Sequence, residues 1–231
     1  MNPTANPTKK IATILPNTLT EVSAQPTKAS PLGTKALAEW AGWLKINPHD
    51  DWDITALITA CADFASAFKA DPDSPRWISI LGNTGTGKTH CARRLWIHLS
   101  NRLDWRKAQF NHYEIFWPRF VADLRAGDSF DLLRDMMRWP VLFLDDIGAE
   151  RDTTGFASEQ LNALVGAREN RWTIITSNLL LDQLGAIDPR IPDRMIRRPN
   201  ICVEIQTMSH AIRTLNAQPP TAHNQLPPSD R

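Results

Sequence analysis

One octapeptide restricts the fold of this chain more than any other feature. It is Gly82-Asn83-Thr84-Gly85-Thr86-Gly87-Lys88-Thr89, which fits G-x-x-x-x-G-K-[ST] at every fixed position. The pattern needs a definite setting. Its glycines let backbone N–H groups curl around an anion with no side chain in the way, and the helix that follows aims its positive dipole end at the same point. A buried strand must therefore bring the chain to Gly82, and a helix must leave at its far end. Both are legible. Trp77–Leu81 is an apolar run of strand length, set off by Asp71-Pro72-Asp73-Ser74-Pro75, and Thr89–Arg102 has helical periodicity. A glycine-rich turn that matched by chance would lack this context. The expected ligand is ATP, bound by Gly82, Asn83, Thr84, Gly85, Thr86, Gly87, Lys88, Thr89 and His90. Lys88 is expected to reach the β- and γ-phosphates, and the Thr89 hydroxyl to hold Mg²⁺.

A loop of this kind works with a carboxylate at the end of a neighbouring strand. Val141-Leu142-Phe143-Leu144-Asp145-Asp146 offers two. Asp145 is expected on the metal side, directly or through water, and Asp146 is placed to orient and deprotonate an attacking water. The plainer alternative has Asp146 opening a loop, with Glu150 the next candidate base. Thr173-Ile174-Ile175-Thr176-Ser177-Asn178 is a further buried strand with a small polar end. It puts Asn178 beside the γ-phosphate, although asparagine at such a place also caps turns.

The 231 residues suffice for one α/β domain with extensions. Residues 1–35 are rich in Pro, Thr, Asn, Ala and Ser and read as a flexible arm. Residues 36–75 form a helical segment, 76–210 the core, and 211–231 a disordered tail with several prolines. Helices are expected over Thr34–Lys45, Thr55–Ala70, Pro118–Arg125 and Ser158–Arg168. Strands are expected over His112–Trp117, Val141–Leu144, Thr173–Thr176 and Ile201–Ile205. Strands alternating with helices imply a mostly parallel sheet covered on both faces.

Formal net charge is +1, so any nucleic-acid contact has to come from a local patch. Arg93, Arg94, Arg102, Arg106 and Lys107 form one cluster, either a solvated face or a DNA-facing one, with Trp105 the best stacking candidate. Arg190, Arg194, Arg197 and Arg198 form a second. Cys61, Cys91 and Cys202 are far apart along the chain, which favours reduced, buried thiols over a zinc site. No apolar run is long enough for a membrane span, and no signal peptide is evident, so a cytoplasmic location is expected.

The motifs stand in a fixed order: Gly82–Thr89, Leu142–Gly148, Arg168, Thr176-Ser177-Asn178-Leu179, then Arg190 and Asp193-Arg194-Met195. In that order they resemble the DnaC/IstB-like branch of the AAA+ ATPases, the replicative helicase loaders and transposition helpers. The likeness spans approximately Trp40 to Ile205. It implies an AAA+ P-loop NTPase fold, α/β, with a five-stranded parallel sheet, helices on both faces and no C-terminal helical lid. By the same likeness the chain hydrolyses ATP, Asn178 is the sensor, and Arg194 or Arg190 is the arginine finger. The implied role is loading a replicative helicase in DNA replication, as a homo-oligomer assembling with ATP on single-stranded DNA. The partner would bind within about residues 1–70. Asp146 departs from the glutamate of many AAA+ proteins, and its shorter reach implies slow hydrolysis. The rival readings are a transposition helper and a nucleotide-binding adaptor that does not hydrolyse.

Overall fold

The computed structural model describes residues 32–46, 52–102 and 114–210. Trp77–Gly82 (β1), Val141–Asp145 (β3) and Trp172–Ser177 (β4) are buried at every position, which is why their sequences are near-continuous apolar runs rather than alternating ones. With the short Glu114–Phe116 (β2) and Ile201–Ile205 (β5) they pair in parallel, in the order β2-β3-β4-β1-β5. The mostly parallel sheet expected from the sequence is thus fully parallel.

Parallel strands need crossovers, and helices supply them. Thr34–Leu44 (α1) and Trp52–Ala70 (α2) precede β1, and Lys88–Ser100 (α3) follows the glycine loop. Trp117–Arg125 (α4) and Phe130–Met136 (α5) lie between β2 and β3, and Phe156–Ala167 (α6) between β3 and β4. Leu181–Ile187 (α7) and Arg190–Ile196 (α8) lead into β5. Because side chains alternate along a strand, each strand feeds both faces. Ile78, Ile80, Phe143, Ile174 and Ile205 pack with Leu57, Phe64 and Leu95 from α2 and α3. Trp77, Leu81, Leu142, Leu144 and Ile175 pack with Trp117, Leu133, Leu161, Leu184 and Met195 from the helices opposite.

Arg168 is fully buried at the end of α6. Its guanidinium donates to Thr173 Oγ1 (3.0 Å) and to the carbonyls of Met136 (2.5 Å), Trp139 (2.9 Å) and Trp172 (2.7 Å). Burial, with Arg171 second, pulls its pKa down to about 9, which still leaves it charged at neutral pH. This residue of the expected motif series therefore ties α5, α6 and β4 together.

Three differences from the sequence reading stand out. Helices α5, α7 and α8 were not expected; each has only seven residues, too few turns for an apolar period to register. Helices α1 and α2 share one core with β1, so both helices of the expected segment 36–75 pack as part of the sheet's covering. Cys61 and Cys91, distant in sequence, lie in the same core as buried free thiols. Most of the arm 1–35, the tail 211–231, Trp105, Arg106, Lys107 and the first two residues of the expected strand His112–Trp117 lie outside the described residues. Among the described residues no helix is long and apolar enough to cross a membrane.

Candidate functional site

Strand order fixes where a site can form. β4 lies between β1 and β3, so the segments leaving these three strands open along one edge of the sheet. A cavity of about 390 Å³ lies there, lined by Thr84, Gly85, Gly87, Lys88, Thr89, His90, Phe116, Asp145, Asp146, Thr176 and Asn178. Its volume is within the usual range for small-ligand sites.

The loop is shaped by its glycines for two separate reasons. Gly82 has φ +120°, and a Cβ there would lie 1.9 Å from the Ile205 carbonyl oxygen, so only glycine lets β1 and β5 approach this closely. Gly87 has φ +91° and starts α3 from the left-handed region, turning the first N–H groups of the helix toward the cavity. The tip is held from outside: the His210 N–H donates to Gly85 O (2.9 Å) and Asn83 Nδ2 to Gln206 O (2.8 Å). Thr86 Oγ1 donates back to Asn83 O (2.9 Å).

Lys88 Nζ donates to Asn83 O (2.6 Å) and to Asn178 Oδ1 (3.0 Å). Burial lowers its pKa, while Asp146 and then Asp145 oppose the shift. Thr89 Oγ1 donates to Asp145 Oδ1 (2.9 Å), and Thr176 Oγ1 donates to the same oxygen (2.6 Å). The Asp146 N–H donates to Thr176 Oγ1 (3.0 Å), and Asn178 Nδ2 donates to Asp146 Oδ1 (2.6 Å). These bonds link six residues in one chain from Thr89 through Asp145, Thr176, Asp146 and Asn178 to Lys88, the Thr176–Asp146 link running through the Asp146 backbone N–H. Asp146 sits at φ +61°, a region aspartate tolerates better than most residues, so the chain turns sharply after Asp145 and both carboxylates face the cavity. Burial, then Asp145, raises the Asp146 pKa, and Lys88 lowers it.

These donors fit the expected ligands. A hydroxyl and a carboxylate side by side are the hard oxygen donors Mg²⁺ takes, since it keeps several waters and binds few protein groups. A buried ammonium at the mouth of a glycine loop fits a phosphate.

The sequence reading brought together Lys88, Thr89, Asp145, Asp146 and Asn178, but it gave Thr176 no role. The only available signal was a hydroxyl at the polar end of the strand, next to that of Ser177. Phe116, 49% exposed at the end of β2, also lines the cavity and was not singled out. His90 donates from Nε2 to the Leu44 carbonyl (2.7 Å), which anchors the end of α1 to the loop helix. Glu150, the alternative base, is not among the lining residues. It accepts from Trp117 Nε1 (3.0 Å) and the Gly148 N–H (2.8 Å) and holds the turn after β3.

The two arginine-finger candidates lie on α8, outside the cavity lining. Arg190 Nη2 is 2.8 Å from Asp188 Oδ2. Arg194 donates to Glu169 Oε1 (3.1 Å) and Asn162 Oδ1 (2.5 Å). Arg197 pairs with Asp193 and Glu169. In the first basic cluster Arg93 pairs with Glu114, Arg94 lies 5.1 Å over the Trp43 ring, and Arg102 Nη1 donates to His98 O (3.2 Å).

No protein-family model matches the sequence, and a search of curated proteins gives no match. Solved structures do resemble it. A crystal structure of DnaI superposes with a TM-score of 0.54 at 23% identity, covering 71% of this chain and 93% of that one. A crystal structure of the DnaC helicase loader superposes with a TM-score of 0.51 at 20% identity, covering 71% and 99%. Likeness at this level establishes the fold: this chain shares with those structures a five-stranded parallel sheet with helices on both faces.

Proposed function

We propose that this chain is a Mg²⁺-dependent ATPase of the helicase-loader type. The observation that supports the reading is the hydrogen-bonded chain from Thr89 to Lys88, because its residues line one cavity and have the chemistry of a phosphate cation, two oxygen donors for a metal, a base and a polar orienting group. Lys88 offsets charge on the β- and γ-phosphates. Thr89 and Asp145 would hold Mg²⁺, which when bound would neutralise charge developing on the phosphate oxygens. Asp146 accepts the proton of the attacking water as the water oxygen bonds to the γ-phosphorus and the bond to ADP breaks. Asn178 spans Lys88 and Asp146 and keeps cation and base in register.

The biological part of the reading rests on the order of the motifs and on the fold shared with the DnaC helicase loader. It makes the protein a cytoplasmic DNA-replication factor that forms a homo-oligomer with ATP, works on single-stranded DNA and binds a replicative helicase through residues 1–70. Since α2 is committed to the core, the outer face of α1 is the described part of that stretch offered to a partner.

The test is ATP binding and turnover by the full chain, with and without single-stranded DNA. Lys88→Ala should abolish binding of a fluorescent ATP analogue and leave the melting temperature near that of wild type. Unchanged affinity would remove Lys88 from the site. Binding by wild type with no turnover under any condition would favour the adaptor reading, for which the short Asp146, already engaged by Asn178, is the supporting observation.

A further inference from the structure

The opposite edge of the sheet carries a second cavity, of about 410 Å³. It opens where β1 and β5 begin and is lined by Asp63 and Ser66 of α2, Arg76, and the run Arg198, Pro199, Asn200 and Ile201. The nucleotide cavity lies where the strands end, so the two share no residue. Nothing in the proposed ATPase cycle uses this second cavity.

Its two arginines differ from the other basic residues nearby. Arg190, Arg194 and Arg197 each pair with a carboxylate. Among the described residues Arg198 has no such partner, although it is exposed and separated from Arg197 by a single peptide bond. Arg76 lies with its guanidinium carbon 6.0 Å over the Trp172 ring, and its Nε is buried without a hydrogen-bond partner. A buried guanidinium N–H left unpaired is costly, and a ligand oxygen is the natural acceptor for it. The wall between them is rigid. Asn200 Oδ1 accepts from the Trp77 N–H (2.9 Å), and its Nδ2 donates to Arg194 O (2.7 Å). Asp63 is the one acid in the lining, and burial raises its pKa.

We infer that this cavity is an oxyanion site that takes a phosphate group between Arg76 and Arg198, with the Ser66 hydroxyl as a further donor. Two guanidinium forks facing one volume suit the tetrahedral oxygens of a phosphate, which accept paired N–H groups. Asp63 works against the anion and sets the selectivity: it disfavours the more highly charged phosphates when ionised.

The probe is pyrophosphate, titrated into the full chain carrying Lys88→Ala so that the glycine loop does not compete, with amide shifts read by NMR. Saturable shifts at Ser66, Arg198 and Asn200 in the millimolar range or tighter are expected. Arg198→Gln should weaken them about tenfold, the worth of one charge-assisted hydrogen bond, and Arg76→Gln comparably. Asp63→Asn should tighten binding, an opposite sign that a general loss of structure would not give. In the Lys88 background Arg198 is exposed and unpaired, so Arg198→Gln should fold normally and serves if Arg76→Gln does not. An oligothymidylate that displaces pyrophosphate, and loses affinity with Arg198→Gln, would identify a nucleic-acid backbone as the source of the phosphate. Failure to displace it would point to a free phosphate compound. Absence of saturable shifts at these amides, or shifts indifferent to Arg198→Gln, would overturn the site.

Discussion

Asp146 shows how one residue bears opposite demands. It has to lose a proton readily to serve as a base, yet burial and the neighbouring Asp145 favour its protonated form, against the opposing pull of Lys88. Its folded pKa is therefore above the usual 3.8. Between that ordinary value and the raised one the folded state binds more protons than the unfolded state, so stability falls as pH rises through the window and is level above it. Asp146→Asn removes the penalty, keeps the shape, tolerates φ +61° and still accepts from Asn178 through its own Oδ1. The variant should bind ATP normally and lose turnover by about two orders of magnitude or more, the usual worth of a positioned base. Its melting temperature should equal or exceed that of wild type, and the gap should widen as pH rises through the window. Phosphate release and thermal melts over a pH series check this, and undiminished turnover would mean that the water is activated elsewhere. Wild-type activity should fall off at a less acidic pH than an unperturbed aspartate would give.

At the level of elements, the short helices are held by side chains more than by their own propensity. Seven residues are too few for a stable helix alone, so α5 depends on what receives its end. Arg168 does so, donating to Met136 O in its last turn and Trp139 O just beyond. The cation faces the negative end of the helix dipole, which partly stands in for a carboxylate partner. Arg168→Met fills similar space but leaves three buried carbonyls without their donor. It should cost about 3–5 kcal/mol, as breaking a buried charged network does, and lower the melting temperature by on the order of 10 °C. A shift of a degree or two would show that water or a rearranged Arg171 takes over. This is also where the sequence was hard to read. The strands declared themselves because a parallel strand buried on both faces has to be apolar, and the nucleotide loop because its chemistry fixes residue types at adjacent positions. Arg168 stands in the motif series, but its role as a buried tie was not legible, since its partners lie as far as 32 residues away and are mostly backbone carbonyls. Thr176 was hidden likewise: a hydroxyl in a β-branched run fits a strand whether or not it bridges two aspartates. Helix α8 was masked by Pro192, which reads as a breaker although it stands in the first turn, where proline is tolerated.

For the whole molecule the question is whether one copy holds all the groups that hydrolysis needs. The cavity lining contains Lys88 but no arginine, whereas rapid P-loop hydrolysis often recruits a guanidinium to the γ-phosphate, worth about three to five orders of magnitude in rate. The candidates on α8 are occupied within their own chain. Arg194 is 22% exposed and held by Glu169 and Asn162, while Arg190 is 64% exposed with Asp188 as its acid. A finger acting on a neighbouring copy has to exchange that partner for a phosphate. Arg190 gives up one partner, the buried Asp188 carboxylate, which still accepts from the Arg190 backbone N–H, whereas Arg194 gives up both Glu169 and the side-chain amide oxygen of Asn162. Exposure and partner number therefore favour Arg190 as the group that reaches across, with Arg194 fastening α8 to α6. On this hypothesis Arg190→Ala should bind ATP normally, melt near wild type and lose the rise in specific activity with protein concentration. Arg194→Ala should lower the melting temperature first. Mixing Arg190→Ala with Asp146→Asn should recover part of the activity, because one kind of mixed interface then joins an intact base to an intact arginine. Rates measured across a concentration series for each variant and for the mixture decide between the two arginines. If recovery appears with Arg194→Ala and not with Arg190→Ala, the roles are reversed. If neither variant changes the concentration dependence, no arginine of α8 acts in trans and a single copy carries out hydrolysis unaided.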